Sequence, residues 1–443
     1  MFPLSKKGLN CEKKNKKKIC VACNEDGFGP SAFAYYLVHA IIKEWEKNEY
    51  NFELEIPVLN TSAYHFNESI YSRFQHIVHP SSLKHDSLIK LEKPNGEVAV
   101  RETLKILKNY KKAGKKYLDE VRDYLSDADI AIDIGVPLFV HSAKELGVKH
   151  RITLFDHSWA VTLRLICAKR WEHIYKLNPI PTDYEREDAE KIAGYIEEDE
   201  RCATEVYLFD SYITPNEFLD HWEKIATPTI LKGVLGCKSN PKVAKDILNG
   251  LLKELRQPTV PDDKKLVLIS PGGTPVWSSL LPHMIGQFVS SKITREYIPV
   301  LSNPKTADDK MIDFLKEKMR KSDKIRWFEF VKGNTQQIIM PAFDLIVTRA
   351  GGGTVNDALA AERCFICVEE PQVQVVLIEQ ECVKLGLIPD LPETRIDKFK
   401  RNPIGCIDSF FDFFSNKNNG FHCKFGIKAG VERELARDIL RRL

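Results

Sequence analysis

An α/β fold with parallel sheets is predicted by two features of the chain. Short β-branched apolar runs alternate with amphipathic stretches of helical period, and the clearest of these runs stop at glycine clusters that open a helix. The length of 443 residues is enough for two or three domains, and an apolar content of 43% is enough to fill their cores.

In chain order, the first eighteen residues carry Lys6, Lys7, Lys13, Lys14, Lys16, Lys17 and Lys18 with little to bury, so 1–18 is expected to be a disordered basic tail. Such a run is either solvated or a peripheral contact with anionic lipid, each lysine adding about 1 kcal/mol near a membrane surface. Ile19-Cys-Val-Ala-Cys23 then reads as a strand, 24–30 as a glycine-containing loop, and Ser31 as the cap of a helix burying Phe33, Leu37, Ile41 and Trp45. Further strands are expected at Phe52 to Leu59, Asp129 to Gly135 and Arg151 to Phe155, with helical stretches between them, including the basic segment 101–125.

Asp156-His157-Ser158-Trp159 follows the last of these strands, at the carboxyl edge where open α/β sheets hold ligands. His157 beside Asp156 is a candidate base; the plain alternative is a hydrogen-bonded packing histidine. Residues 163–200 are helical and crowded with carboxylates, which read as a solvated face, since the alternating spacing of a calcium loop is absent. A strand at 207–213 and a helix after Pro215 close this half. Turn formers from Gly233 to Asn240, an amphipathic helix at 241–256 and the proline-bearing break 258–265 put the domain boundary between 235 and 262.

The second half opens with Leu266-Val-Leu-Ile-Ser-Pro-Gly-Gly-Thr274, a strand entering a glycine turn. Later, Leu345 to Val347 reads as a buried strand, and Arg349-Ala-Gly-Gly-Gly-Thr354 as a turn into a helix capped by Thr354, with Asp357 three residues on as in a capping box. A further strand is expected at Phe365 to Val368. Glycines before a helix N-terminus leave amides bare, and the helix dipole adds positive potential, a setting that suits a phosphate. The same residues also make a tight strand-to-helix turn with a good cap and nothing more.

The frame around this turn, Ile325-Arg-Trp-Phe-Glu-Phe-Val331, Ile338 to Asp344, Arg349-Ala-Gly-Gly-Gly-Thr-Val-Asn-Asp357 and Pro371, resembles the C-terminal half of the GT-B nucleotide-sugar glycosyltransferases. The pattern is that of the peptidoglycan N-acetylglucosaminyltransferase and the UDP-glycosyltransferases, with Asp357 in place of their Glu. The resemblance implies two Rossmann-like domains, 19–235 for the acceptor and 263–443 for the nucleotide sugar, joined by a linker at 236–262. The last helix is a candidate to pack back on the first domain.

The resemblance further implies a metal-independent transfer of a sugar from a UDP-sugar to the hydroxyl of an acceptor that the sequence does not identify. Gly351, Gly352, Gly353 and Thr354, following Arg349, would face the diphosphate, with Gly272, Gly273 and Thr274 as a second contact. Asp357 would bind the ribose, Phe330 and Val331 would lie near the base, and Gln372 or Gln374 near the sugar. Asp156, His157 and Asp26 are the base candidates. The first loop, Gly27-Phe-Gly-Pro-Ser31, lacks the histidine that these families often carry. A sugar-nucleotide epimerase and a non-catalytic nucleotide-sugar-binding protein are the alternatives.

Other classes find little support. Lys+Arg 65 against Asp+Glu 62 is too balanced for a general nucleic-acid binder. No apolar run has the length of a membrane span or the form of a signal peptide, so a cytoplasmic setting is expected. Eleven cysteines suggest free thiols in place of a disulfide framework. Cys20-x-x-Cys23 and Cys364-x-x-Cys367 fall in expected strands, where residues three apart lie about 10 Å from each other on opposite faces. The P-loop, zinc-protease and nucleophile-elbow signatures are missing. No cofactor and no metal are expected.

Overall fold

The computed structural model describes residues 15–24, 29–59, 74, 76–81, 100–155, 157–168, 181–210, 213–236, 238–272, 281–290, 296–303, 313, 316–317, 324–329, 335–370, 372–416 and 425–443. The first half runs β1 (Asn15–Cys23), α1 (Gly29–Lys47), β2 (Phe52–Leu59), β3 (Val78–Ser81), α2 (Val100–Leu107), α3 (Tyr110–Leu125), β4 (Ile130–Ile134) and α4 (Pro137–Glu145). It continues through β5 (His150–Phe155), α5 (Trp159–Cys167), α6 (Asp183–Glu200), β6 (Glu205–Phe209), α7 (Asn216–Ile225) and β7 (Thr229–Leu231). The second half holds α8 (Pro241–Glu254), β8 (Lys265–Ser270), α9 (Leu281–Ser290), β9 (Tyr297–Asn303), β10 (Arg326–Glu329), α10 (Thr335–Ile339), β11 (Leu345–Thr348) and α11 (Gly352–Ala361). Last come β12 (Phe365–Cys367), α12 (Val373–Lys384), α13 (Ile396–Arg401), α14 (Pro403–Ser415) and α15 (Glu432–Leu440).

Two parallel sheets result, in the order β3-β2-β1-β4-β5-β6-β7 and β10-β9-β8-β11-β12. Each sheet winds outward from its first strand in one direction and then in the other. That reversal leaves a crevice beside β1 and another beside β8, at the carboxyl ends of the strands. Ile19 to Cys23 are wholly buried between β2 and β4, with Val21 opposite Val58 on one side and Ile132 on the other. Strands covered by helices on both faces need this unbroken apolar run in place of alternation.

The first strand begins inside the stretch expected to be a tail. Lys16 pairs with Glu55 at 2.9 Å, and Asp129 receives both the Lys17 ammonium and the Lys18 amide at 2.9 Å, so acidic neighbours on flanking segments hold the lysines in the ladder. Residues 1–14 lie outside the described residues, and so does the lipid contact expected of them. Helix α1 starts at Gly29, two residues before the expected cap, and Ser31 is buried within it.

The carboxylate-rich stretch is also not one solvated face. Asp199 and Glu200, at the end of α6, are buried: Asp199 receives the Tyr110 hydroxyl at 2.8 Å and lies 2.9 Å from His141 Nδ1. Hydrogen bonds to Asp199 and Cys202 raise the His141 imidazole to about 10. Seven of the described cysteines are free thiols, whereas Cys364 is disulfide-bonded, against the expectation of thiols alone. Among the described residues no helix is long and apolar enough to cross a membrane.

The chain changes domain over residues 233–236. Helix α8 packs on α10, the turn Met340–Ala342 and β10. A second crossing lies beside the first: Val234 N–H donates to the Lys428 carbonyl at 2.8 Å, and Gly430 N–H donates to the Val234 carbonyl at 2.9 Å. Gly233 has φ +139°, and a Cβ there would stand 2.3 Å from the Lys428 oxygen, so this contact requires glycine. After that crossing α15 packs along α1. Arg437 grips Glu44 at 2.9 and 3.2 Å, Arg442 Nε donates to Glu205 at 2.9 Å, and the Tyr207 hydroxyl donates to Asp438.

Asp133 at the end of β4 is buried, accepting the Val136 N–H and, at 3.2 Å, the Thr153 hydroxyl. Burial pushes its carboxyl up to about 7. The native state therefore holds this proton more tightly than the unfolded chain, whose value is about 3.9. Its contribution is full below the unfolded value and is lost as pH rises through the folded one. Asp133→Asn, which keeps the acceptor, is expected to lessen the fall in urea midpoint between about pH 4 and pH 7. An unchanged pH slope would acquit Asp133.

Candidate functional site

Helix α1 leaves the carboxyl end of β1, and α11 leaves the carboxyl end of β11, so the two crevices bring two helix N-termini together. Their closest approach is between glycines. A Cβ on Gly353 would sit 3.1 Å from the Gly29 Cα, and one on Gly29 would sit 3.7 Å from the Gly353 nitrogen. Backbone faces backbone, and two positive helix ends point into one place, an unfavourable arrangement that a shared anion would relieve.

Helix α11 begins one turn's fraction earlier than expected. Its N-cap is Gly351, which makes no side-chain cap, and Thr354 lies in the first turn, so the expected capping box of Thr354 with Asp357 does not form. Glycine at 351 and 352 lets the backbone enter the helix without the help of a hydroxyl. Gly351, Gly353 and Thr354 are partly exposed, and Gly352 is buried.

Arg349 lies across the turns. Its Nη1 donates to both Glu370 oxygens at 3.0 and 3.2 Å and to Gln372 Oε1 at 3.3 Å. Its Nε is 3.0 Å from where a Gly272 Cβ would be and 3.3 Å from that of Gly351. Gly272 has φ +71°, so it is suited to this turn on both counts. Glu370 is fully buried and matches the Arg349 charge, which makes the pair a brace between the ends of β8, β11 and β12. Removing either partner would strand a buried charge.

The structure thus gathers Gly272, Arg349, Gly351 and Gln372, and sets Gly353 against the first domain. Gln374 is half-buried in the first turn of α12. Gly273, Thr274, Phe330, Val331, Asp26 and Asp156 lie outside the described residues.

Asp357 lies in the second turn of α11. Its Oδ1 accepts from the Tyr36 hydroxyl at 3.1 Å, from Gln337 Nε2 at 3.2 Å and from Asn356 Nδ2 at 3.2 Å. Burial pushes its carboxyl up to about 7, against the pull of these three donors. All three bonds are to Oδ1, and one of the donors is on α1.

His157 is 3% exposed. Its ring packs against Phe155 at 4.0 Å, Trp159 at 4.6 Å and Phe218 at 5.7 Å between centroids. These rings come from β5, α5 and α7. The carboxylate that governs this edge is Glu200, buried and not part of a solvated face. It accepts from Ser158 Oγ at 2.9 Å, Trp159 N at 3.0 Å and lies 2.8 Å from His221 Nε2. A buried carboxylate at the N-terminus of α5 stabilises the helix there. Ser158 itself caps α5 by accepting from Val161 N at 3.2 Å. Among the described residues no group of three or more His, Cys, Asp or Glu is placed to hold a metal ion.

No family model and no curated protein sequence matches this chain. Solved structures do. The calicheamicin glycosyltransferase CalG4 is similar at 12% identity with a TM-score of 0.53, over 96% of this chain and 95% of that one. The glycosyltransferase of kitacinnamycin is similar at 13% identity and a TM-score of 0.54, over 96% and 99%. A UDP-GlcNAc 2-epimerase from Neisseria meningitidis, solved with UDP-GlcNAc bound, is similar at 10% identity and a TM-score of 0.54, over 96% and 98%. Two parallel α/β halves facing each other across their strand ends, matched over nearly whole chains, give this protein the GT-B fold.

Proposed function

We propose that the chain binds a nucleotide-diphosphate sugar, a UDP-sugar in the first instance, and transfers the sugar to an acceptor hydroxyl. The observation that carries this reading is the approach of the first turns of α1 and α11 at Gly29 and Gly353. In this reading the amides of Gly352 and Gly353 and the first turn at Thr354 cradle the diphosphate, while the Gly351 N–H donates to the Arg349 carbonyl at 2.9 Å. The cradle stabilises the charge that grows on the diphosphate as the glycosidic bond to the sugar breaks. A base on the first-domain side takes the acceptor proton as the new bond forms. Gln372 and Gln374 would hold sugar hydroxyls, and the Arg349–Glu370 brace keeps the glycine turns at Gly272 and Gly351 in register beneath them.

An epimerase reading is favoured by one observation, the Glu370 carboxylate at the end of β12, next to the residues that would hold the sugar. Against it, Arg349 already occupies both oxygens of Glu370. The non-catalytic alternative shares the nucleotide site and differs in turnover alone.

In a thermal-shift series, UDP and UDP-sugars are expected to raise the melting temperature, and uridine without phosphate to leave it unmoved. An unmoved curve with every nucleotide would end this reading. Mass spectrometry of UDP-sugars incubated with the protein and candidate acceptors is expected to show UDP released with glycosylated acceptor. An epimer with no UDP would support the second reading, and binding without either product the third.

Gly353→Ala is expected to weaken UDP binding about tenfold, or about 1.4 kcal/mol by calorimetry, because the new methyl forces the two helix ends apart. Asp357→Ala is expected to act on the fold itself. It removes an acceptor that three donors share, two of which also reach the Leu235 carbonyl, and a loss of about 1–3 kcal/mol in urea unfolding should follow. A loss below about 0.5 kcal/mol would show these bonds to be incidental.

A further inference from the structure

Six lysines fall within twelve residues of the first half, Lys105, Lys108, Lys111, Lys112, Lys115 and Lys116, with no acidic residue between Glu102 and Asp119. All six are exposed, while Leu104, Leu107, Tyr110 and Tyr117 from the same stretch are buried. The end of α2 and the start of α3 therefore turn one face to the core and an ammonium-rich face outward. Intramolecular partners take up half of the charge. Lys108 pairs with Asp188 at 3.0 Å, Lys111 Nζ lies 3.9 Å from the centre of the Tyr195 ring, and Lys116 pairs with Glu120 at 3.2 Å. Lys105, Lys112 and Lys115 make no ion pair or hydrogen bond with a described residue. Helix α3 also begins against its own dipole: its first turn holds Lys111 and Lys112 with no acid, and Asn109 at the N-cap gives no side-chain bond. Local rules are broken in this way where a function outweighs them.

We propose that this face of α2 and α3 is a docking surface for a membrane of anionic lipid. The inference does not rest on the nucleotide reading. Lysines on the convex side of a helix present point charges, without the planar forks or stacking rings by which nucleic-acid strands are gripped. Headgroup phosphates spread over a surface can meet all of them at once. Each lysine near such a surface strengthens binding about fivefold. Tyr184, on the neighbouring α6, is 65% exposed, and its ring lies 5.2 Å from the Lys108 ammonium. An amphipathic ring beside an ammonium group suits the layer between water and lipid tails. Exposed Asp183 and Glu187 on α6 bound the face on that side. Lys18 Nζ donates to the carbonyls of Asp123 at 3.4 Å and Ser126 at 2.9 Å, so the last turn of α3 lies at the amino ends of the strands and its first turn toward the carboxyl ends. Docking by this face would hold the crevice beside β1 near the lipid surface.

The test uses the full chain in flotation assays with vesicles of phosphatidylcholine alone and of phosphatidylcholine mixed with phosphatidylglycerol. The parent is expected to float with the mixed vesicles and not with the neutral ones, and to be released as salt is raised. Lys105→Gln, Lys112→Gln and Lys115→Gln together are expected to lower the partition coefficient about a hundredfold, which is fivefold for each lysine. Because these three side chains have no partner in the fold, the urea midpoint of the triple variant is expected to match that of the parent. Equal flotation of variant and parent would overturn the proposal and leave the lysines of the amino-terminal stretch as the lipid contact. Equal flotation with both kinds of vesicle would overturn it as well, since charge would not be what binds. Flotation with neither would give the face to another polyanion or to solvent, and retention on soluble polyphosphate tells those two apart.

Discussion

The hold of α11 on the segment that joins the halves is the interaction on which the rest depends. A two-point bond from Asn356 to Leu235 fixes a helix of the second half to the last residues of the first. From there the helix runs back to its glycine end, which lies on the glycine end of α1. Were the bond to Leu235 absent, nothing in the parallel sheets themselves would set how the two crevices face each other, since each sheet is complete on its own side. The polar cluster of Tyr36, Gln337, Asn356 and Asp357 is buried and hydrogen-bonded, and such networks specify one arrangement more than they add stability.

A second constraint comes from the pairing of Arg349 with Glu370. The guanidinium cannot shed its charge, and a carboxylate with no exposure needs that charge beside it. Because Arg349 also covers Gly272 and Gly351, the same pair keeps side chains out of both turns. Bare backbone at this edge is thus enforced twice, once by glycine and once by what lies over it.

Much of this was legible in the order of residues. The strand at Phe52–Leu59 falls where its β-branched run places it, and β11, the glycine turn and β12 fall within a residue of expectation, because short buried runs ended by glycine allow few other forms. The site was harder. Thr354 looks like a cap, yet Gly351 starts the helix sooner, and this moves Asp357 from the first turn to the second and turns its carboxylate toward α1. Tyr36 and Asp357 are 321 residues apart, and no local period reports such a pair. Glu200 was hidden for a similar reason: a carboxylate in an acidic stretch looks solvated until a helix from elsewhere brings its N-terminus to it. The lysines at 16–18 read as a loose tail because the acids that hold them, Glu55 and Asp129, come from later strands and turns.

The return of α15 to α1 has a consequence for how the protein is made. Glu44, Glu205 and Tyr207 belong to the first half and find their partners in Arg437, Asp438 and Arg442, near the end of the chain. The amino-terminal half therefore leaves the ribosome with one flank of α1 uncovered, and it stays so through synthesis of the entire second half. Domains otherwise tend to fold in turn as they emerge. Here the surface of the earlier half is completed by a helix made after the second sheet.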